Sequence, residues 1–269
     1  MIYVVCYSGG HSSALVAVEA VRKYGKENVI LLNHDISPLV EDKDIKRFKK
    51  EVAEYLGIEI TYANMDGWES MPPLEVCVRK AAFKTGHDTV LCTYNLKTKP
   101  FYNWLRQNYP ASKDKPCKEI TILYGFDPSE VGRIQRRSEH LASLGYFSDY
   151  PLATWDRTIE NIEEIGIARP VTYEIWKHAN CIGCLKAGRQ HWYAVYCLRP
   201  DIFKRAVEAE KSIGYSIIKG TYLKELLPQF RRMRKAGIIP SDRIKFQTFW
   251  ALVRKALKES DECISCEDD

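Results

Sequence analysis

The strongest constraint on this chain sits at its start. An apolar run, Ile2 to Cys6, leads directly into Ser8-Gly9-Gly10-His11-Ser12-Ser13 and then into a segment of helical period. Two adjacent glycines between a strand and a helix let the backbone approach a ligand closely, and the helix N-terminus behind them offers N–H groups and a partial positive charge. At the C-terminal end of a strand in an open α/β sheet, such a turn is a phosphate seat. It matches neither GxxxxGK[ST] nor GxGxxG. A serine-capped strand-to-helix turn is the plainer alternative.

Beyond the loop the chain keeps an α/β rhythm. Ser13 to Tyr24 places Leu15, Val18, Ala20 and Val21 on helical spacing, and Val29 to Leu32 reads as a strand. Glu41 to Leu56 reads as a helix with Ile45, Phe48, Val52 and Leu56 on one face, and Ile58 to Tyr62 as a third strand. A β-α-β-α-β order predicts a doubly wound, mainly parallel sheet covered on both faces. Further on, the pattern predicts helices at Leu74 to Lys84, Lys97 to Gln107, Ser129 to Leu144, Thr158 to Ile165, His191 to Leu198 and Asp201 to Ser212, and a strand at Glu119 to Tyr124. The composition, 269 residues of which 45% are hydrophobic, excludes a chain disordered throughout. No apolar stretch reaches the roughly 20 residues that span a bilayer, so no membrane partner is expected. Nine cysteines with no signal-peptide pattern fit a reducing, cytoplasmic setting in which thiols serve metal or redox chemistry.

The glycine loop resembles the PP-loop, SGGxDS, of the adenine nucleotide α-hydrolase-like superfamily, and within it the phosphoadenosine phosphosulfate (PAPS) reductase-like branch. Other segments are similar to that branch: Asn33-His34-Asp35 with Glu41 beyond, Cys92-Thr93 followed by Leu96-Lys97-Thr98-Lys99-Pro100, and Gly125-Phe126-Asp127 through Glu130 and Arg133. The likeness covers roughly residues 1–212, taken as a Rossmann-like nucleotide-binding domain, with 213–269 a helical C-terminal extension. It implies ATP or a sulfonucleotide as ligand, with Ser8, Gly9, Gly10, His11, Ser12 and Ser13 on the phosphates. Asn33 and Asp35 would face base or ribose, Asp35 would position Mg²⁺, and Lys97 and Arg133 would stabilise transition-state charge. Arg136 and Arg137 are further cations of the same helix. Ser12 departs from the loop pattern, which has Asp there.

Cys181-Ile-Gly-Cys184 presents two thiolates in a turn that suits one metal. The resemblance adds Cys92 and implies an iron–sulfur cluster, as some members hold, with a fourth ligand from Cys77, Cys117, Cys197 or His191; zinc suits the same thiolates. A second pair, Cys263 and Cys266, lies in an acidic tail whose carboxylates raise thiol pKa values. Cys6 and Cys197 read as core residues.

The net charge of +5 conceals an uneven distribution: Leu223 to Lys258 holds ten Lys or Arg against Glu225 and Asp242, a local +8, and the tail from Glu259 carries −6. Phe230, Phe246, Phe249 and Trp250 are interleaved with these cations, a composition that suits tRNA or DNA as well as an amphipathic helix pair with its aromatics turned inward. The leading expectation is ATP cleavage at the α-phosphate, with pyrophosphate release and adenylation of an acceptor, in the context of sulfur transfer. The alternatives are reduction of PAPS or its 5′-phosphosulfate analogue to sulfite by a cysteine thiolate with a thiol reductant, and a catalytically idle nucleic-acid-binding module.

Overall fold

A computed structural model describes residues 1–86, 89–179 and 181–265, with side chains as far as residue 259. In chain order its regular elements are β1 (Ile2–Cys6), α1 (His11–Tyr24), β2 (Val29–Asn33), α2 (Lys43–Leu56), β3 (Ile60–Tyr62), α3 (Pro73–Arg79), α4 (Leu91–Thr93), α5 (Lys99–Asn108), β4 (Ile120–Leu123), α6 (Val131–Ser143), β5 (Phe147–Asp149), α7 (Pro151–Thr154), α8 (Arg189–Leu198), α9 (Pro200–Ile213), α10 (Leu227–Lys235) and α11 (Phe246–Ser265).

The five strands form one sheet in the order β3-β2-β1-β4-β5, every neighbouring pair parallel. Successive strand residues point to opposite faces, so Val5 and Leu31 pack against α1 and α2, while Val4 and Leu32 meet Phe101 and Leu105 of α5 and Leu141 of α6. Helices thus cover both faces, and the fold is α/β and doubly wound. β1 continues through α1 to β2 on one side, while β4 joins β1 on the other. The strand order therefore reverses between β1 and β4, where open sheets form a ligand crevice at their C-terminal edge.

Local chemistry explains the best-defined elements. Asp42 caps α2 by accepting the Asp44 N–H at 2.8 Å, and Gly57 ends the helix in the left-handed conformation that glycine adopts readily. Two expectations differ from the structure. Thr158 to Ile165 is not a helix: only Ile162–Ile165 forms a short 3₁₀ turn. The buried Glu19 carboxylate of α1 takes the N–H groups of Thr158 and Ile159 at 2.7 and 3.0 Å, which holds the chain extended there. The predicted helix at Leu74 to Lys84 stops at Arg79, where Ala81 turns through a φ of +49° and a bridge pairs Lys84 with Val90.

The chain divides into two compact units: residues 1–38, 42–70 and 95–170 form the first, and 39–41, 71–94 and 171–269 the second. This division does not fall at residue 212; residues 171–212 group with the C-terminal helices. The first unit holds the sheet. The second is helical, with Trp192 and Tyr193 of α8, Phe203 of α9, Phe230 of α10 and Phe249 of α11 buried. Phe230 and Phe249 thus face inward, while Phe246 is 67% exposed. No helix among the described residues is long and apolar enough to cross a membrane.

Candidate functional site

The glycine loop leaves β1 at the edge of the crevice. Tyr7 anchors its start: fully buried, it donates its N–H to Leu32 O and its hydroxyl to Lys49 O, both at 2.8 Å. Gly9 takes a φ of +80°, and a Cβ there would lie 3.1 Å from the Lys49 Cδ. Gly10 is the N-cap of α1, with no side chain capping the helix and no acidic residue in its first turn. A helix N-terminus left this way favours an anion. On the β4 side, a Cβ on Gly125 would lie 2.9 Å from the Ser12 carbonyl oxygen, so glycine is what lets the two loops meet.

The serines divide their roles. Ser8 and Ser12 are exposed, whereas Ser13 is buried, donates to Gly10 O at 2.8 Å and lies 3.2 Å from the Ser8 hydroxyl. Ser13 therefore braces the loop instead of facing a ligand. His11 turns to the scaffold, accepting the Ile162 N–H at 3.4 Å, and burial lowers its pKa.

At the end of β2, Asn33 is also structural. Its amide donates to Tyr7 O and accepts from Lys49 Nζ at 3.4 Å, so its side chain is spent on joining β1, β2 and α2. Asp35 is held more openly. Its backbone N–H and carbonyl pair with the Asn64 amide at 2.8 and 2.9 Å. Its carboxylate accepts from Lys46 Nζ at 2.6 Å and Ser70 Oγ at 3.1 Å, with Lys49 Nζ at 3.8 Å. Burial raises the Asp35 pKa, but Lys46, Ser70 and Lys49 together outweigh it, and the net shift is downward. Asp35, Lys46, Lys49 and Asn64 line a cleft of about 550 Å³ with Lys50, Tyr62, Asp66 and Glu69. Lys49, only 1% exposed, runs past Gly9 and brings its ammonium to the carboxylate.

The expected cations are distributed unevenly. Lys97 lies exposed in a π-helical turn, Tyr94–Thr98, that leads into α5. It adds to the effect of burial on His34, whose pKa is pushed down to about 4. Arg133 is exposed, pairs with Glu130 and stacks at 4.3 Å over Phe126. Arg136 is exposed as well. Arg137 is drawn in: its guanidinium lies 5.3 Å over Tyr124 and donates to the Tyr102 hydroxyl at 3.2 Å. It has no carboxylate partner among the described residues. The Cys6 thiol beside it is pushed up to about 12 by burial. Arg137 is thus the cation drawn in beside the ends of β1 and β4, while Arg133 pairs with Glu130.

Lys46, Lys49, Asn64, Tyr62 and Ser70 went unnoticed in the sequence. For Lys49 a signal existed: it falls on the apolar stripe of α2, between Ile45 and Val52. A lysine on a buried stripe needs a polar destination.

The cysteines belong mainly to the second unit. Three hydrogen bonds fasten the Cys181–Cys184 turn: the Ile182 N–H donates to Val40 O at 2.8 Å, and the N–H groups of Gly183 and Cys184 donate to His191 Nε2 at 3.1 and 3.3 Å. His191 Nδ1 in turn bonds Asp242 at 2.7 Å. Both ring nitrogens are thereby used, and His191 supports the turn instead of completing a ligand set. Cys77 hydrogen-bonds Cys92, which lowers its pKa. Cys117 is buried in the core of the first unit, and Cys197 interacts with Tyr193. No group of three or more His, Cys, Asp or Glu that could hold a metal is gathered among the described residues, so Cys92, Cys181 and Cys184 are not assembled into one site. Cys263 and Cys266 lie outside the residues whose side chains are described.

Comparisons with protein-family models, with curated proteins and with solved structures find no match.

Proposed function

We propose that the first unit binds ATP at the C-terminal edge of its sheet and exposes the α-phosphate to an acceptor, releasing pyrophosphate. The observation that carries this reading is the coincidence of an uncapped, glycine-entered helix N-terminus with the point where the strand order reverses. Backbone N–H groups at Gly9 to Ser12 seat the phosphates, with the Ser8 and Ser12 hydroxyls beside them. Arg137 and Lys49 supply fixed positive charge where negative charge develops during attack. The cleft beside Asp35, with the Tyr62 ring and the Asn64 amide, accommodates the nucleoside.

Magnesium bound by Asp35 does not fit the arrangement. Lys46 and Lys49 already set two ammonium groups against its carboxylate, with which a divalent cation would have to compete, so no step is assigned to a protein-bound Mg²⁺. The thiols likewise enter no step.

The test is calorimetric and enzymatic. ATP should raise the melting temperature, and Lys49→Met, which keeps the packed stem and removes the charge, should abolish that shift while leaving the fold intact. Pyrophosphate should then be released in the presence of the acceptor. Sulfite release from PAPS, with no thermal response to ATP, would overturn the reading.

A further inference from the structure

We propose that the exposed basic face of α10, with the segment leading into α11, docks a single-stranded polynucleotide. The inference stands on the second unit alone and is independent of the nucleotide reading. α10 buries Phe230 and Met233 and leaves Arg231, Arg232, Arg234 and Lys235 exposed. Arg231, Arg234 and Lys235 stand at i, i+3 and i+4 on this helix and repel one another, a repulsion that a polyanion lying over them would relieve. Their position at the helix C-terminus offsets part of that repulsion.

The two carboxylates of this stretch do not neutralise them. Glu225 accepts the Tyr222 N–H at 3.0 Å, and Asp242 holds His191 at 2.7 Å and the Lys177 N–H at 2.5 Å. Arg231, Arg234, Lys235, Arg243 and Lys245 therefore have no carboxylate partner among the described residues. Arg234 sets its guanidinium carbon 5.2 Å over the Tyr196 ring, and a guanidinium held against an aromatic ring keeps N–H donors for phosphate.

An aromatic ring selects between polyanions. Phe246, the first residue of α11, is 67% exposed and adjoins exposed Lys245. A bare ring beside cations suits an unstacked base, which a single strand offers and a duplex hides. A lipid surface fits less well. The other large exposed apolar side chain of α11 among the described residues, Leu252, lies about 120° around the helix from Phe246, on the far side of the buried line through Phe249 and Val253. The two form no common face that could enter a membrane.

The experiment measures fluorescence anisotropy of a labelled oligothymidylate of about 20 nucleotides with the full chain, across a salt series. Log affinity should fall linearly with log salt, by about 0.7 per phosphate contact, and Arg231→Ala/Lys235→Ala should reduce that slope by about 1.4. Phe246→Ala should weaken binding about 5- to 150-fold with the slope unchanged. Both variants replace exposed side chains, and both should keep the wild-type melting temperature and its response to ATP, so this proposal and the nucleotide reading fail separately. Equal affinity for the matching duplex would overturn the proposal. So would unchanged binding by both variants, or binding to phosphatidylserine vesicles with none to the oligonucleotide.

Discussion

Replacing Gly9 with alanine separates two costs that usually come together. Gly9 and Gly166 share a φ of +80° and lie in the same compact unit. Nothing lies within 4 Å of a Cβ on Gly166, while a Cβ on Gly9 would lie 3.1 Å from Lys49 Cδ and 3.3 Å from Ile45 Cγ2. Both substitutions incur the left-handed penalty of an L-residue, about 1–2 kcal/mol. Only Gly9→Ala also crowds Lys49. That side chain is 1% exposed and tied at its ammonium to Asn33 and Asp35, so its stem has no room to swing away. Overpacking of this kind adds about 1–3 kcal/mol. Gly9→Ala should thus destabilise by about 2–5 kcal/mol and Gly166→Ala by about 1–2, a difference of about 2–12 °C in melting temperature. Scanning calorimetry reads both variants directly. ATP at about a hundred times its Kd adds about 2.7 kcal/mol to any variant that still binds it, and should do so for wild type and Gly166→Ala but not for Gly9→Ala. Equal melting temperatures for the two variants would refute the packing argument. A full ATP response in Gly9→Ala would refute the placement of phosphates on the loop.

Two further outcomes arise from the same geometry. His34, whose Nδ1–H donates to Ala63 O, has its pKa pushed down to about 4 by burial, below the value of about 6.5 in an unfolded chain. The unfolded state then binds more protons between those values, so this contribution is fully present above pH 6.5 and is lost as pH falls toward about 4; His34→Gln should flatten the fall, as urea melts across that window will show. His191→Ala removes the acceptor of the Gly183 and Cys184 N–H groups, at a cost of about 1–3 kcal/mol for a buried donor, and hydrogen exchange at those two amides should accelerate; unchanged protection would show that the turn does not depend on His191.

The alternation from Ile2 to Tyr62 was legible because each element carried its own punctuation, as with Asp42 before α2 and Gly57 after it. β5 was not, since three residues containing Ser148 and Asp149 show no period. The helix expected at Thr158 to Ile165 failed because Glu19, well over a hundred residues away in sequence, competes for its backbone donors. The loop was legible as a glycine-entered turn between a strand and a helix, yet the polar residues expected around it divide between the scaffold and the strand ends. Asn33 and Ser13 carry the right polar groups, but both turn them on the scaffold. Lys49 and Arg137 reach the strand ends from helices whose placement only the assembled sheet determines. The domain boundary was hidden for a related reason: composition varies along the chain, whereas the compact units interleave segments of it.

That interleaving matters while the chain is being made. Residues 71–94 of the second unit leave the ribosome well before residue 171, where the helical part of that unit begins. At about 5–20 residues per second, the segment bearing Cys77 and Cys92 waits roughly 4–15 s before the rest of its unit begins to be made. For those seconds two neighbouring thiols stay open to oxidants and chaperones alike. Truncation cannot shorten the wait, because no single cut in this chain separates one compact unit from the other.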